Sequence, residues 1–470
     1  MGASQDRQLQ LFDAEGYLRM VGTECREQAE ASSTQGMAPA ESASMHCRCD
    51  LMERIVDKDN MREAYAKVRS NRGSAGVDRM GVSQMHDYFK EHADELFEQV
   101  LTGKYAPSPV LRVEIPKQEK GKVRKLGIPT VVDRVVQQAT AQQLTPLFEP
   151  QFHDSSYGFR PGRGAHDALL ACKRNIDEGY VWVVDMDLER FFDTVCHSKL
   201  VQILSETVAD GRVVSLVHRY LNAGVMVGGV REETKVGVPQ GGPLSPLLAN
   251  VMLNELDWEL DRRGHRFVRY ADDAMVFCKS RRAAQRTLES ITRFIEGRLR
   301  LKVNAGKTCV ARFNRVKYLG YGFRMFKGEC RFRVHPESIR KMKDRIRELT
   351  GRSKPIPNDL RPAMVSDFVR GWVGYFKMAD MKELLRGIDK WMRRRVRMCY
   401  WKQWKRVRTR FRMLKKCGVK EDEAWMFANT RKAYWRVANS PIMNKAIKTE
   451  QLARKGYLFF SKQYDRVHAC

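Results

Sequence analysis

Tyr270-Ala271-Asp272-Asp273 sets two adjacent carboxylates inside an apolar stretch, with Val268 before it and Met275, Val276 and Phe277 after it. The stretch 267–277 reads as two short β-runs folded about Ala271-Asp272. Hairpin turns favour Asn-Gly or other glycine-containing pairs that accept positive φ, and adjacent carboxylates repel. Local rules are broken in this way where function asks for it. A solvent-exposed turn would not need such apolar flanks. A second strand end, in 181–187, carries Asp185 and Asp187, which share a face of the strand. Spacing alone does not choose between them. Carboxylates at strand ends suit phosphoryl transfer to a nucleotide. Mg²⁺ takes hard oxygen ligands from one or two carboxylates plus phosphates and water. Two Mg²⁺ ions about 3.5–4 Å apart bridge phosphate oxygens and activate a hydroxyl.

The elements that position these acids are short strands between helices. The run 181–186 follows a helical stretch closed by Gly179, and 317–323 (KYLGYGF) reads as another strand. No glycine-rich strand-to-helix fingerprint is present, which excludes a doubly wound dinucleotide fold. Sheets covered by helices are expected instead.

The chain has 470 residues, a length that suggests about three domains. Its composition is globular, but 85 Lys+Arg against 56 Asp+Glu leave a net charge of +29. Such a surplus points to a polyanionic partner. Residues 331–470 hold 37 basic and 13 acidic side chains, net +24, so the first 330 carry only +5. A mixed domain followed by a basic, mostly helical one is expected. Within 391–416 there are twelve cations and no acid, interleaved with Trp391, Tyr400, Trp401, Trp404 and Phe411. Charge mixed with stacking surface suits RNA or DNA. From this segment Arg393, Arg394, Arg395, Arg397, Lys402 and Lys405 are taken as nucleic-acid contacts. Residues 31–47 read as a flexible connector, and the N-terminus has no apolar core of a signal peptide. No run approaches the roughly 20 apolar residues of a membrane span. Eleven mostly isolated cysteines read as reduced thiols, which fits the cytoplasm of a bacterium, and Cys47 and Cys49 lack the second pair a zinc site wants.

Motifs in order then resemble the group II intron-encoded reverse transcriptases that also act as maturases, over roughly 50–470. These are Asn71-Arg-Gly-Ser-Ala-Gly-Val-Asp78, then Arg112-Val-Glu-Ile-Pro-Lys117, and Arg124-Lys-Leu-Gly-Ile-Pro-Thr130 followed by Asp133, Arg134 and Gln137. Ser156-Tyr-Gly-Phe-Arg-Pro-Gly-Arg163, Asp187-Leu-Glu-Arg-Phe-Phe-Asp193 and Pro239-Gln-Gly-Gly-Pro-Leu-Ser-Pro246 follow. The 270–273 hairpin, Leu301-Lys-Val-Asn-Ala-Gly-Lys307-Thr308 and Tyr318-Leu-Gly320 complete the core. Beyond it, 368–376 resembles the family's thumb or maturase segment, and 433–457 its small DNA-binding region.

The resemblance implies an α+β right-hand polymerase, with fingers and a palm of small antiparallel sheet, followed by an α-helical thumb/maturase domain. Its implied boundaries are an extension at 1–50, fingers and palm at 51–330, thumb/maturase at 331–415 and a basic DNA-binding region at 416–470. By the family's spacing Asp187 rather than Asp185 is the first metal ligand, with Asp272 and Asp273 completing a site for two Mg²⁺. Lys117 and Arg124 would hold the triphosphate, Phe192 would stand against the sugar and reject a 2′-hydroxyl, and Gln240 and Lys307 would line the nucleotide. Gly241 and Gly242 would permit close backbone approach, and Arg160 and Arg163 would contact nucleic acid. The implied activity is RNA-directed DNA polymerisation, from deoxynucleoside triphosphates (dNTPs), on an RNA template with a DNA primer. Group II intron RNA and a DNA target are the implied partners, in splicing and retrohoming. The chain stops before the family's zinc-dependent endonuclease, so a primer from elsewhere is expected, and no membrane partner is expected. Two competing readings are a polymerase-inactive RNA-binding splicing cofactor and a reverse transcriptase used in defence or spacer acquisition. The intact acids argue against the first, and the maturase-like segment and basic tail against the second.

Overall fold

The computed structural model describes residues 50–116, 123–354 and 356–469. The chain divides into two compact units, Met1–Arg312 and Phe313–Cys470. Among the described residues of the first unit, three helices come first: α1 (Leu51–Val56), α2 (Lys58–Ser70) and α3 (Met85–Leu101). A hairpin of β1 (Val110–Pro116) and β2 (Val123–Ile128) leads into the buried α4 (Val131–Phe148). Thr130 caps α4 by accepting the Asp133 amide.

Next come α5 (Ala165–Asp177), β3 (Trp182–Met186), the single-turn α6 (Phe191–Thr194), α7 (His197–Thr207) and α8 (Gly211–Asn222). The small hairpin β4 (Val225–Val227) and β5 (Val230–Glu232) precedes α9 (Ser245–Arg262), which is apolar on most sides and buried. The unit closes with β6 (Arg266–Tyr270), β7 (Asp273–Cys278), α10 (Arg281–Gly297) and β8 (Cys309–Arg312).

Two sheets result. One has the order β2-β1-β4-β5, the other β6-β7-β3-β8, and the second is antiparallel throughout. The second is the expected palm sheet. β3 is a Val-rich run with Val183 and Val184 wholly buried, as a central strand covered on both faces should be. α10 lies across β3, β7 and β8. Its buried Ala284, Thr287, Ile291 and Ile295 recur at helical spacing, and Ser280 caps its start.

The second unit begins with the antiparallel sheet β11-β10-β9, built from β9 (Lys317–Tyr318), β10 (Tyr321–Phe326) and β11 (Glu329–Val334). The single strand expected at 317–323 is two strands. Leu319 and Gly320 both take positive φ, +48° and +81°, and turn the chain back between them. The sequence places the end of the first folded domain at 330. The compact units divide at Arg312 and Phe313, because β9 and β10 fold onto β11. The rest is helical, as expected. The longer helices are α11 (Pro336–Leu349), α12 (Arg361–Phe376), α13 (Lys382–Gln403), α14 (Val407–Lys416) and α15 (Glu421–Ala428). Short helices α16 (Tyr434–Val437), α17 (Pro441–Ala446) and α18 (Thr449–Arg454) lead to α19 (Phe460–His468). Buried Asp389 on α13 accepts the Phe460 and Ser461 amides and the Ser461 hydroxyl, which fastens the start of α19.

Among the described residues, no helix is long and apolar enough to cross a membrane. Seven cysteines among them are free thiols. The Cys47 and Cys49 pair and the extension before residue 50 lie outside the described residues.

Candidate active site

Register brings the acids together. β3 pairs with β7 through Met186 opposite Ala274, so the next step sets Asp187 beside Asp273. β6 pairs with β7 through Tyr270 opposite Asp273, which leaves Ala271-Asp272 as a two-residue turn. Asp187, Asp272 and Asp273 therefore fall at adjoining strand ends, and Asp185 stands two residues back on the same face as Asp187.

Asp273 keeps surface open to solvent, but its carboxyl stands in a crowded mouth. Lost hydration, then the charges of Asp272, Asp185 and Asp187, push it up to about 7, while Lys307 pulls the other way. Acids crowded until one resists ionising are a donor set that a hard divalent cation relieves, so their chemistry fits Mg²⁺. Among the described residues, no three such groups are already drawn together as a finished metal cluster.

The 301–308 loop holds Asp187. The Asn304 side chain donates to its Oδ2 at 2.8 Å and the Lys307 ammonium to its Oδ1 at 3.2 Å. The Asn304 amide donates to its carbonyl, and its own amide donates to the Thr308 hydroxyl. Lys307, expected on the nucleotide, is thus a partner of the first acid. Asn304 and Thr308 carry no role expected from sequence, although both stand in the 301–308 motif.

The hairpin turn is held from behind. Ala271 has φ +56°, a left-handed conformation that costs a non-glycine residue roughly 1–2 kcal/mol. Buried Arg269 donates to the Ala271 carbonyl at 2.9 Å. Gly158 lies so close that a Cβ there would stand 2.3 Å from the Ala271 nitrogen.

Phe192 on α6 is half-buried and touches Phe191. Its carbonyl accepts the Val238 amide at 2.6 Å, and the Val195 carbonyl accepts that of Gly237. The loop that carries Gln240 is thereby fastened to the Phe192 segment. His197 Nε2 meets the Gly237 carbonyl at 2.7 Å and adds a third tie. Gln240 reaches the other sheet, its carbonyl accepting the Gly127 amide on β2 at 2.8 Å. The two glycines after it permit close approach to the protein itself. A Cβ at Gly241 (φ +125°) would stand 2.6 Å from the Gly127 carbonyl, and one at Gly242 would collide with Gln137. Lys117 and the side chain of Arg124 lie outside the described residues.

Several of the expected nucleic-acid contacts have partners within the protein. Arg160 is 3% exposed. Its guanidinium pairs with Glu149 and donates to the His153 and Ser156 carbonyls at 2.7 and 2.9 Å, so it builds its own loop. Arg163 keeps some exposure, pairs with Asp154 at 2.6 Å and lies over the Tyr157 ring. On α13, Arg394 donates to the Trp435 carbonyl and stacks on that ring at 3.9 Å. Arg395 donates to the Thr350 hydroxyl at 2.7 Å. Arg397 donates to the Ile447 carbonyl at 2.9 Å and to the Asn444 side chain. Burial lowers the pKa of Arg395 and Arg397. Arg393 is half-buried over Phe459, and Lys402 lies over Tyr434. Lys405 is exposed, with Arg406, Arg408, Arg412 and Lys416. Tyr400, Trp401 and Trp404 are buried, so these aromatics are core.

A model of the reverse transcriptase (RNA-dependent DNA polymerase) family matches residues 115–323, and one of the group II intron maturase-specific domain matches 339–418. Protein YkfC of Escherichia coli is 31% identical over 322 residues, 60% of this chain and 84% of that protein. The group II intron-encoded protein LtrA of Lactococcus lactis is 28% identical over 327 residues, 56% of this chain and 54% of that one. An uncharacterised 91 kDa protein of a cob intron in Schizosaccharomyces pombe is 32% identical over 203 residues, 43% of this chain and 25% of its own length.

Proposed function

The chain belongs to the group II intron reverse transcriptases with a maturase domain, and we propose that it extends a DNA primer along an RNA template while its C-terminal unit holds intron RNA for splicing and retrohoming. One observation carries the polymerase part: Asp187, Asp272 and Asp273 fall at adjoining strand ends of one antiparallel sheet. These three acids would hold two Mg²⁺ ions, which supply charge neutralisation on the phosphates and activation of the primer 3′-hydroxyl. Phe192 would close the space beside the sugar and favour dNTPs over ribonucleotides. Gln240, tied to β2 and to the Phe192 segment, would line the nucleotide, with Arg124 as a cation on the same strand β2. Lys117 is proposed beside them from the motif alone.

For nucleic acid, the exposed cations of α14 and the residues before it replace Arg394, Arg395 and Arg397 of α13, which are bound to protein groups, as proposed contacts. Counterion release from a phosphate backbone suits an exposed basic stripe and not a buried one. Group II intron RNA and a DNA target are the proposed partners, and the bacterial cytoplasm the proposed site of action.

The test is primer extension with purified protein, RNA template, DNA primer, dNTPs and Mg²⁺. Extension by wild type and its loss in Asp272→Ala, with intron RNA binding retained, supports the reading. Extension at the wild-type rate by Asp272→Ala overturns the site.

A further inference from the structure

Arg269 is the last residue but one of β6, and its side chain is 1% exposed. Interiors admit a charge of this size only when it is paired and hydrogen-bonded. Its partner is Asp257 on α9, wholly buried, which takes two guanidinium nitrogens, Nε at 2.7 Å. Asn250 stands two turns earlier on the same face of α9 and accepts from Nη1 at 3.0 Å. That same Nη1 reaches the Ala271 carbonyl at 2.9 Å. Asn250 in turn donates to the Gly158 carbonyl at 2.8 Å. Backbone bonds close the arrangement: Tyr157 donates to the Arg269 carbonyl and Arg269 to the Ser155 carbonyl, both at 2.9 Å.

One planar guanidinium thus joins a buried helix to the turn that carries Asp272, and Asn250 joins both to the 155–158 segment. A lysine, a compact charge on a flexible stem, cannot span these three acceptors. The turn needs such holding, since Ala271 sits in a left-handed conformation.

We propose that Arg269 is a positioning residue, which with Asp257 and Asn250 fixes the Ala271-Asp272 turn and so sets the spacing of Asp272 from Asp187 on which cation binding depends. The inference rests on the polymerase reading above. A purely structural role predicts something different. A buried ion pair can often be replaced by apolar residues of similar volume without loss of stability. If Arg269 only fills the interior, such a replacement is silent. If it aims the turn, the replacement keeps the fold and weakens the cation site.

The experiment uses the full chain carrying Arg269→Met with Asp257→Leu, and separately Arg269→Lys. Four quantities are read: thermal melting, affinity for an RNA–DNA template–primer, Mn²⁺ affinity by electron paramagnetic resonance, and the Mg²⁺ concentration for half-maximal primer extension. The expected double variant melts and binds template–primer as wild type does. It binds Mn²⁺ about 10-fold or more weakly and needs correspondingly more Mg²⁺, the size of effect that residues supporting metal ligands show. Arg269→Lys is expected to recover only part of the Mn²⁺ affinity. A double variant that melts, binds Mn²⁺ and extends primers as wild type overturns the proposal. Should the double variant melt low, Arg269→Lys decides: wild-type Mn²⁺ affinity overturns the proposal, and weakened affinity at wild-type melting supports it. A wild-type protein that neither binds Mn²⁺ nor extends a primer overturns the polymerase reading itself.

Discussion

Asp187 has both carboxylate oxygens engaged, one by Asn304 and one by Lys307, whereas Asp273 faces chiefly other acids. The acids are therefore not equivalent. Replacing Asp272 by Ala removes one carboxylate from the group of acids at the strand ends. Primer extension should fall by about 100-fold or more, the scale of losing one group that stabilises developing charge. Melting and intron RNA affinity should stay at wild-type values. Phe192 is half-buried beside Phe191, and its backbone anchors the loop bearing Gln240. Phe192→Val keeps that backbone bond and opens space. Ribonucleotide incorporation relative to deoxyribonucleotide should rise by roughly 10- to 200-fold, as pocket-size discrimination allows. An unchanged ratio, measured by competitive single-nucleotide extension, would move the sugar gate elsewhere. Arg160 makes the opposite forecast from the one its motif suggests. Arg160 itself is buried and satisfies the His153 and Ser156 carbonyls, and each buried acceptor left without its donor costs about 1–3 kcal/mol, so Arg160→Ala should lower melting. Its RNA affinity per folded molecule should be unchanged.

At the scale of elements, the palm is legible because its signals are local. A valine-rich run ending in acids, and two apolar runs about a two-residue turn, fall where β3, β6 and β7 stand. The division of 317–323 into β9 and β10 is hidden because Leu319, a poor left-handed residue, takes half of the turn. The support behind the hairpin is illegible for another reason. Nothing in the spacing of Asn250, Asp257 and Arg269 says that α9 runs behind β6. The same holds for Gly158, whose missing side chain matters only because the Ala271 backbone lies against it. Gly158→Ala should therefore disturb the Ala271-Asp272 turn more than the fold. A Cβ pressed on backbone must displace it, and extension should drop by about 10-fold or more. Melting by circular dichroism measures how much of the effect is stability, and a variant with wild-type extension would show that the turn yields freely.

At the scale of the whole molecule, the sequence reveals how much charge there is but not where it points. Residues 331–470 carry a net +24 of the total +29, yet sequence gives a cation's number and not its partner. On α13, Arg394, Arg395 and Arg397 bind carbonyls, hydroxyls and rings of their own unit. That helix is buried on most sides, with Met392, Val396, Met398, Cys399, Tyr400 and Trp401 all in the interior, so its arginines have protein to meet on several faces. Within 391–416 the exposed charge begins at Lys405 and continues on α14, where Arg408, Arg412 and Lys416 recur every four residues as one stripe. Two reversals to Glu then separate structure from binding. Reversal of Arg394 and Arg395 buries acids against carbonyl oxygens and should lower melting, with any loss of RNA affinity following the unfolded fraction. Reversal of Arg408, Arg412 and Lys416 should leave melting within about 0.5 kcal/mol of wild type, as surface changes usually do. It should weaken intron RNA binding and flatten the plot of log affinity against log salt by about 0.7–0.9 for each phosphate the stripe no longer neutralises. A stripe that only keeps the protein soluble gives the same slope before and after reversal. That result, in a salt titration on protein with wild-type melting, would take the RNA-binding role away from α14.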